Sequence, residues 1–267
     1  MNKLPISVCM ISGAEAARIG RALGSVSGWV SEIIVVLNEE VGDGTEQIAV
    51  SHGARVFREP WKGHVGQKNS AMAKASQGWL LGLDADEVVS AGLREEIFRR
   101  LDEASRPTPY AAFRCPRLTY FCGSWIRHGD WYPDYSVRLW RKGTAEWGGI
   151  NPHDKLAVRG KIGKLRADLL HYSNPTISDY VQKMNYFADA YLQWQLKEGV
   201  RWSAAGAIFR SGWRFVRAYF LRAGFLDGYP GFFIAASTAY STLVRHSRLF
   251  EHLQAKEPPS CERRKSR

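Results

Sequence analysis

Apolar and polar positions alternate between two periods along the first hundred residues. Ile6 to Ile11 is a short apolar run and predicts a strand. From Glu15 to Val26 the spacing becomes helical, with Ala16, Ile19, Ala22, Leu23 and Val26 on one side. Ser31 to Leu37 is a second apolar strand, and Asn38 to Gly44 is a loop closed by Asp43-Gly44 turn chemistry. A short helix over Thr45 to Ser51, a brief strand over Arg55 to Glu59 and a helix from Gly63 to near Ala75 follow. The fourth strand starts at Trp79 and ends at Asp84, and a helix capped by Ser90 runs from about Gly92 to Ala104. Strands alternating with helices predict an α/β protein: a doubly wound, Rossmann-like, mainly parallel mixed sheet flanked by helices. Such sheets bind ligands at the carboxyl ends of their strands, at a switch point in strand order. Ser12, Asn38 and Asp84 all stand at such ends.

The fourth strand ends abruptly in three carboxylates, Asp84, Asp86 and Glu87. Asp84 and Asp86 are two apart, so in extended geometry they point to the same side. Two carboxylates there repel unless a cation lies between them. Mg²⁺ takes one or two protein carboxylates and completes its shell with phosphate oxygens and water. The other reading is a solvated turn whose acids cap the next helix.

Between Tyr110 and His171 aromatics, glycines and arginines mix with short β-like runs such as Ser136 to Trp140, the texture of a loop-rich acceptor-binding half. From Thr176 onward the pattern is helical, over Ser178–Leu196, Ala204–Ala223 and Gly231–Leu253. Three stretches result: an α/β domain with ligand-binding strand ends over 1–175, a helical extension over 176–255 and a disordered basic tail over 256–267. In the second helix Arg210, Arg214 and Arg217 share a face beside much apolar surface. That pattern fits an amphipathic helix on an anionic membrane, or an ordinary packed helix with a solvated face.

Charge sharpens the choice of partner. The net charge is +11, and from Gly199 onward twelve Arg and Lys stand against four acids. An anionic partner follows, but no zinc spacing, recognition-helix signature or RNA-binding aromatic motif points to nucleic acid. Four cysteines without a C-x-x-C pair suit a reducing compartment, with Cys9 a small buried hydrophobe. The first apolar run is too short for a signal peptide, and no apolar run reaches the length of a spanning helix.

The ordered pieces together resemble the family 2 glycosyltransferases, and within them the lipopolysaccharide core-type β-glycosyltransferases. They are the opening strand with Glu15, Glu32-Ile-Ile-Val-Val with Asp43-Gly44-Thr45, Gly66-Gln67-Lys68-Asn69, and Trp79 through Asp84-Ala85-Asp86-Glu87. Trp131-Tyr132-Pro133-Asp134 with Arg138-Leu139, then His153-Asp154-Lys155-Leu156, then Gly224-Phe225-Leu226-Asp227-Gly228 complete the set. The resemblance implies a GT-A fold and inverting transfer of a sugar from a nucleotide-sugar donor, UDP-linked by default, to a saccharide or glycolipid acceptor. It implies Mg²⁺ or Mn²⁺ on Asp84, Asp86 and a later His, matched by His153. Two positions differ from the family pattern. Ala14 precedes Glu15 where Asn is usual, and Asn38 replaces an Asp, keeping an acceptor oxygen while losing the charge.

An inverting transfer needs a base for the acceptor hydroxyl and an electrophile for the leaving group. Asp134 is the candidate base, placed by Pro133 among aromatics, with Asp130 the alternative; a plain turn Asp is the other reading of Asp134. Glu15, Asn38, Gln67, Lys68, Asp84 and Arg138 are the candidate donor-binding residues. Gln67 and Lys68 sit at a helix start after a glycine-rich turn, and Arg138 could clamp a diphosphate or form a structural ion pair. His171 rivals His153. The expected location is cytoplasmic, on the inner face of the membrane, because nucleotide sugars are cytosolic. A non-catalytic saccharide- or nucleotide-binding protein on the same fold is the alternative. Ala14 and Asn38 motivate it, and Asp84, Asp86 and Asp134 stand against it.

Overall fold

In the computed structural model, residues 3–101, 108–150, 153–174 and 176–254 are described, the side chains of 150, 153 and 174 excepted. The expected tail over 256–267 and the expected helix end at Ala104 lie outside these residues.

Alternation of burial builds the first half. Strands β1 (Leu4–Ser12) and β2 (Val30–Asn38) are apolar on both faces. Ile6, Val8, Met10, Ile33 and Val35 join one core cluster, while Cys9, Ile34 and Val36 join a second. A sheet covered on both faces is the condition under which parallel strands occur. Helix α1 (Ile19–Gly24) adds Ile19, Ala22 and Leu23 to the first cluster. It is shorter than the spacing from Glu15 predicts. Glu15 N–H and Ala16 N–H donate to the side chains of Thr45 and Asp43, so this stretch is held as a loop. Helix α2 (Thr45–Ser51), strand β3 (Arg55–Glu59) and helix α3 (Gly63–Lys74) follow, the first two with the expected bounds. Strand β4 (Trp79–Gly82) lies against β1 on the side away from β2, all in parallel. The order β3-β2-β1-β4 therefore reverses direction at β1.

Beyond β4 the sheet turns antiparallel. After β5 (Glu87–Val89) and helix α4 (Ala91–Leu101) come β6 (Ala112–Phe121), β7 (Ser124–Ile126), β8 (Asp134–Arg141), β9 (Ala145–Ile150), β10 (His153–Val158), β11 (Ile162–Lys164) and β12 (Leu169–Asn174). The Ser90 hydroxyl accepts from Leu93 N–H, as its capping role predicts. The sheet continues β4-β8-β6-β12-β5, and β9 pairs with β10 as a separate ribbon. Gly82 has no room for a side chain: an added Cβ would lie 2.9 Å from the Trp140 ring. The result is a mixed sheet, parallel over β3-β2-β1-β4 and largely antiparallel beyond, where β11 pairs with β6 in parallel.

The chain divides into two compact units, residues 1–120 with 132–173, and residues 121–131 with 174–267. The second unit holds α5 (Ile177–Lys197), α6 (Ala204–Val216), a π-helical turn over Arg217–Leu221 and α7 (Gly228–Gln254). Its core stacks Phe121 on Phe233, with Trp131, Tyr180 and Ile234 around them. Arg214 and Arg217 turn to Asp130 at 3.3 and 2.6 Å instead of forming a free basic face with Arg210. Beside the exposed Arg210 and Arg214, this segment also leaves Ile208, Phe209, Trp213, Phe220 and Leu221 in solvent. No helix among the described residues is long and apolar enough to cross a membrane.

Candidate active site

A cleft of ≈ 340 Å³ opens where β1 and β4 end, at the reversal of strand order. Ile11, Ser12, Gly13 and Glu15 form its wall from the end of β1. Trp61 precedes α3, His64 and Lys68 lie on its first half, and Asp84, Ala85 and Asp86 follow the end of β4. Asp154 of β10 and His171 of β12 complete it.

Asp84 and Asp86 reach this cleft from a turn rather than from an extended strand. Glu87 N–H donates to the Asp84 carbonyl at 3.0 Å, and Asp84 N–H donates to the Glu87 carboxylate at 3.2 Å. These two bonds end the strand at Gly82 and still leave both aspartates at the cleft. Arg138 donates to Asp84 Oδ2 at 2.8 Å, and Lys68 Nζ lies 3.8 Å from Asp84 Oδ1. Burial works against the Asp84 carboxylate, but the charges of Arg138 and then Lys68 outweigh it and hold its pKa below the ordinary carboxylate range. Asp86 lies 3.6 Å from His171 Nε2. Burial opposes its charge too, and the His171 hydrogen bond and charge bring its pKa down overall.

Lys68 donates to Asp154 at 2.7 Å and lies 4.3 Å from the centre of the Trp147 ring. It is thus a fixed cation between two carboxylates. Glu15 lines the cleft and is held by Arg18. Asp43 joins the loops after β1 and β2 by accepting from Thr45 and Ala16; the Thr45 hydroxyl above all keeps its pKa low.

The candidate base belongs to the same unit. Asp134 begins β8 opposite Arg117 of β6, and Arg117 Nε donates to Asp134 Oδ2 at 2.9 Å. Arg117 also lies 3.6 Å from Glu87, which Arg138 binds at 2.5 Å. Charges therefore alternate without a break from Asp134 through Arg117, Glu87, Arg138, Asp84 and Lys68 to Asp154.

Three candidates sit differently from their expected places. Arg138 is buried and engaged by Asp84 and Glu87, so the ion-pair reading describes it rather than a free diphosphate clamp. Gln67 faces the interior, with both amide atoms buried and unpartnered among the described residues, because its position on α3 turns away from Lys68. Asn38 ends β2 but does not line the cleft; its Oδ1 accepts from Glu40 N–H at 3.4 Å. Asp130, the alternative base, belongs to the second unit and carries Arg214, Arg217 and Arg222. The side chain of His153 lies outside the described residues, whereas its rival His171 is at the cleft. Sequence reasoning passed over Arg117, Glu87 and Asp154 as site residues. Glu87 and Asp154 stand inside quoted motifs, but Arg117 carries no local signal.

Comparison with known proteins adds the family. The family model described as glycosyl transferase family 2 matches residues 7–150, which include every cleft residue from β1 through Asp86. The chain belongs to glycosyltransferase family 2. Among relatives of this transferase, an uncharacterized glycosyltransferase of Rickettsia typhi is 32% identical over 92% of this chain and 87% of its own length. The lipopolysaccharide core biosynthesis glycosyltransferase LpsC of Rhizobium meliloti is 26% identical over 97% of each chain. A crystal structure of S. aureus TarS 1–349 in complex with UDP matches with a TM-score of 0.47 at 13% identity, over 97% of this chain and 93% of that one. The family 2 transferase has the expected α/β arrangement, a mixed sheet flanked by helices, with its parallel half carrying the cleft.

The cleft's donor set can be tested against a divalent ion. Among the described residues no three His, Cys, Asp or Glu side chains are grouped as a ready shell. Two aspartates with fixed negative charge beside an open cleft fit Mg²⁺ or Mn²⁺, which take their remaining ligands from a diphosphate and water.

Proposed function

We propose that this transferase moves a sugar from a nucleotide-sugar donor, UDP-linked, to a lipid-linked or lipopolysaccharide-core-type saccharide, with inversion at the anomeric carbon and dependence on Mg²⁺ or Mn²⁺. The observation that carries the reading is the pair Asp84 and Asp86 at the strand-order reversal, with Lys68 beside them and Asp134 tied into the same charge network. Asp86 and Asp84 would hold the ion, with His171 or His153 next to it. A bound ion supplies charge stabilisation to the departing nucleoside diphosphate. Lys68 adds a fixed cation on the same side, and Glu15 lines the donor end of the cleft. Asp134, steered by the Arg117 fork, accepts the proton of the acceptor hydroxyl as that oxygen attacks. Sugar passes to the acceptor, and the nucleoside diphosphate leaves. The acceptor class is supported by the relative named for lipopolysaccharide core biosynthesis. The protein would work at the cytoplasmic face of the membrane, where nucleotide sugars are found.

A thermal-shift panel of UDP, GDP, CDP and ADP, each with and without Mn²⁺, tests the reading. A nucleotide at a hundred times its Kd adds about 2.7 kcal/mol, or about 5–10 °C in a chain of this size. The expected outcome is a Mn²⁺-dependent shift with UDP that Asp86→Ala abolishes. Asp134→Asn keeps the shift and lowers kcat by about 10²–10⁴-fold. Absence of a metal-dependent shift with every nucleotide would overturn the donor site and bring the non-catalytic reading forward.

A further inference from the structure

The second unit has a cavity of its own, ≈ 240 Å³. Its floor is a row of hydroxyls on α7, Thr238, Ser241 and Thr242, which share one helix face. Trp131 and Tyr180, with ring centres 5.5 Å apart, form an aromatic wall. Arg214 and Arg245 bring two guanidinium groups.

The charge here is unbalanced. Asp130 is the cavity's acid, and Arg214, Arg217 and Arg222 all lie within 3.7 Å of its carboxylate oxygens. Arg245 lies outside that set. Its Nε is buried and has no hydrogen-bond partner among the described residues, and its Cζ lies 5.4 Å from the Tyr191 ring centre. Arg245 lines the cavity without a carboxylate partner among the described residues, so its charge is left for an anion from outside. Arginine forks match phosphate oxygens, aromatic rings take the apolar face of a sugar, and hydroxyls and carboxylates bind its polar edge. At ≈ 240 Å³ the cavity is smaller than sites for drug-sized ligands, roughly 300–1,000 Å³, and suits one monosaccharide unit rather than a nucleotide.

We propose that this cavity binds a phosphorylated sugar, its phosphate on Arg245 and Arg214 and its ring against Trp131, Tyr180 and the hydroxyl row of α7. Reading that sugar as part of the acceptor rests on the transferase reading above; the binding itself does not.

Calorimetric titration of the full chain, with UDP and Mn²⁺ present to fill the other cleft, tests this. Glucose 6-phosphate should bind saturably and about tenfold or more tighter than glucose or inorganic phosphate alone. Arg245→Gln should weaken it about tenfold, and Thr238→Leu, which fills the cavity without changing charge, should do the same. Both variants should keep the wild-type Tm and the wild-type response to nucleotide with Mn²⁺. Vesicles carrying phosphatidylglycerol should bind wild type and Arg245→Gln alike. No saturable binding, or unchanged affinity in both variants, overturns the proposal. So does loss of vesicle binding in Arg245→Gln without sugar-phosphate binding in wild type, since the arginine would then serve a lipid headgroup. A missing nucleotide shift alongside intact sugar-phosphate binding would instead strike the donor reading alone.

Discussion

Glu87 has no exposed surface, yet it is a carboxylate, and its charge is met by Arg138 with Arg117 behind it. Removing one partner of such a buried pair leaves an uncompensated charge and costs about 3–5 kcal/mol. Arg138→Met should therefore lower the urea midpoint strongly, whereas Arg138→Met combined with Glu87→Leu should recover much of the loss. If the single change proves neutral, the network is not holding the Asp84 turn. A second carboxylate sets an acid limit. Hydrogen bonds from Lys74 first, then Ser70, with Lys62 adding to them, lower Glu59 from 4.5 to about 2. A folded pKa below the unfolded one gives stability that is full above the unfolded value and is lost as pH falls toward the folded one. Wild type should thus exceed Glu59→Gln in Tm at pH 6, with the gap closing between pH 4.5 and 2. At this scale the sequence was legible where chemistry is local. Asp84, Asp86, Lys68 and Glu15 all reach the cleft. Arg117 was not legible, because it meets Asp134 only through the β6–β8 register. The interior turn of Gln67 was hidden as well, since a twelve-residue helix with a weakly patterned face does not reveal its rotation.

The elements show the same division. The parallel half was readable because apolar runs buried on both faces have a plain signature, and β1 and β2 cover the runs that carry it. The antiparallel half was less so: the run at Ser136 to Trp140 lies in β8, but the placing of β8, β6, β12 and β5 is set by pairings between distant segments. The Gly224-Phe225-Leu226-Asp227-Gly228 cluster, quoted for its resemblance, has a packing explanation inside the second unit. Asp227 accepts from the Arg127 and His128 amides at 3.1 and 2.8 Å and lies 2.8 Å from His128 Nδ1. Three residues on, Gly231 in the first turn of α7 lies so close to the preceding turn that an added Cβ would lie 1.9 Å from the Gly224 carbonyl oxygen. Backbone cannot give way as a flexible side chain can. Gly231→Ala should therefore destabilise this unit by about 1–3 kcal/mol, the usual cost of overpacking. Proteolysis within α5 to α7 at sub-denaturing urea should accelerate while the nucleotide response persists. Unchanged protection would mean that the turn relaxes freely.

For the whole molecule, net charge and exposed surface point to the same partner. The chain carries +11, and the second unit leaves Phe209, Ile208, Leu221 and Phe220 more than half exposed. Large apolar side chains in that number on one short segment are more than the scattered exposure of ordinary surfaces and mark an interaction site. The arginines expected to make the contact are partly spent on Asp130, so the proposed membrane contact divides the work differently. Aromatic and aliphatic side chains of α6 and the π-turn would enter the interface between headgroups and acyl chains. The excess of positive charge would supply attraction to anionic lipid. These two contributions separate experimentally, because only the second is screened by salt. Vesicles with phosphatidylglycerol should float with the protein at low salt, and those of phosphatidylcholine alone should bind weakly. Raising ionic strength should remove most of the difference between them. Phe209→Ser with Phe220→Ser should reduce binding to both vesicle types while leaving the salt slope unchanged, since no charge is altered. Equal binding by the variant and wild type would show that the exposed rings do not enter the bilayer and that charge alone carries the contact.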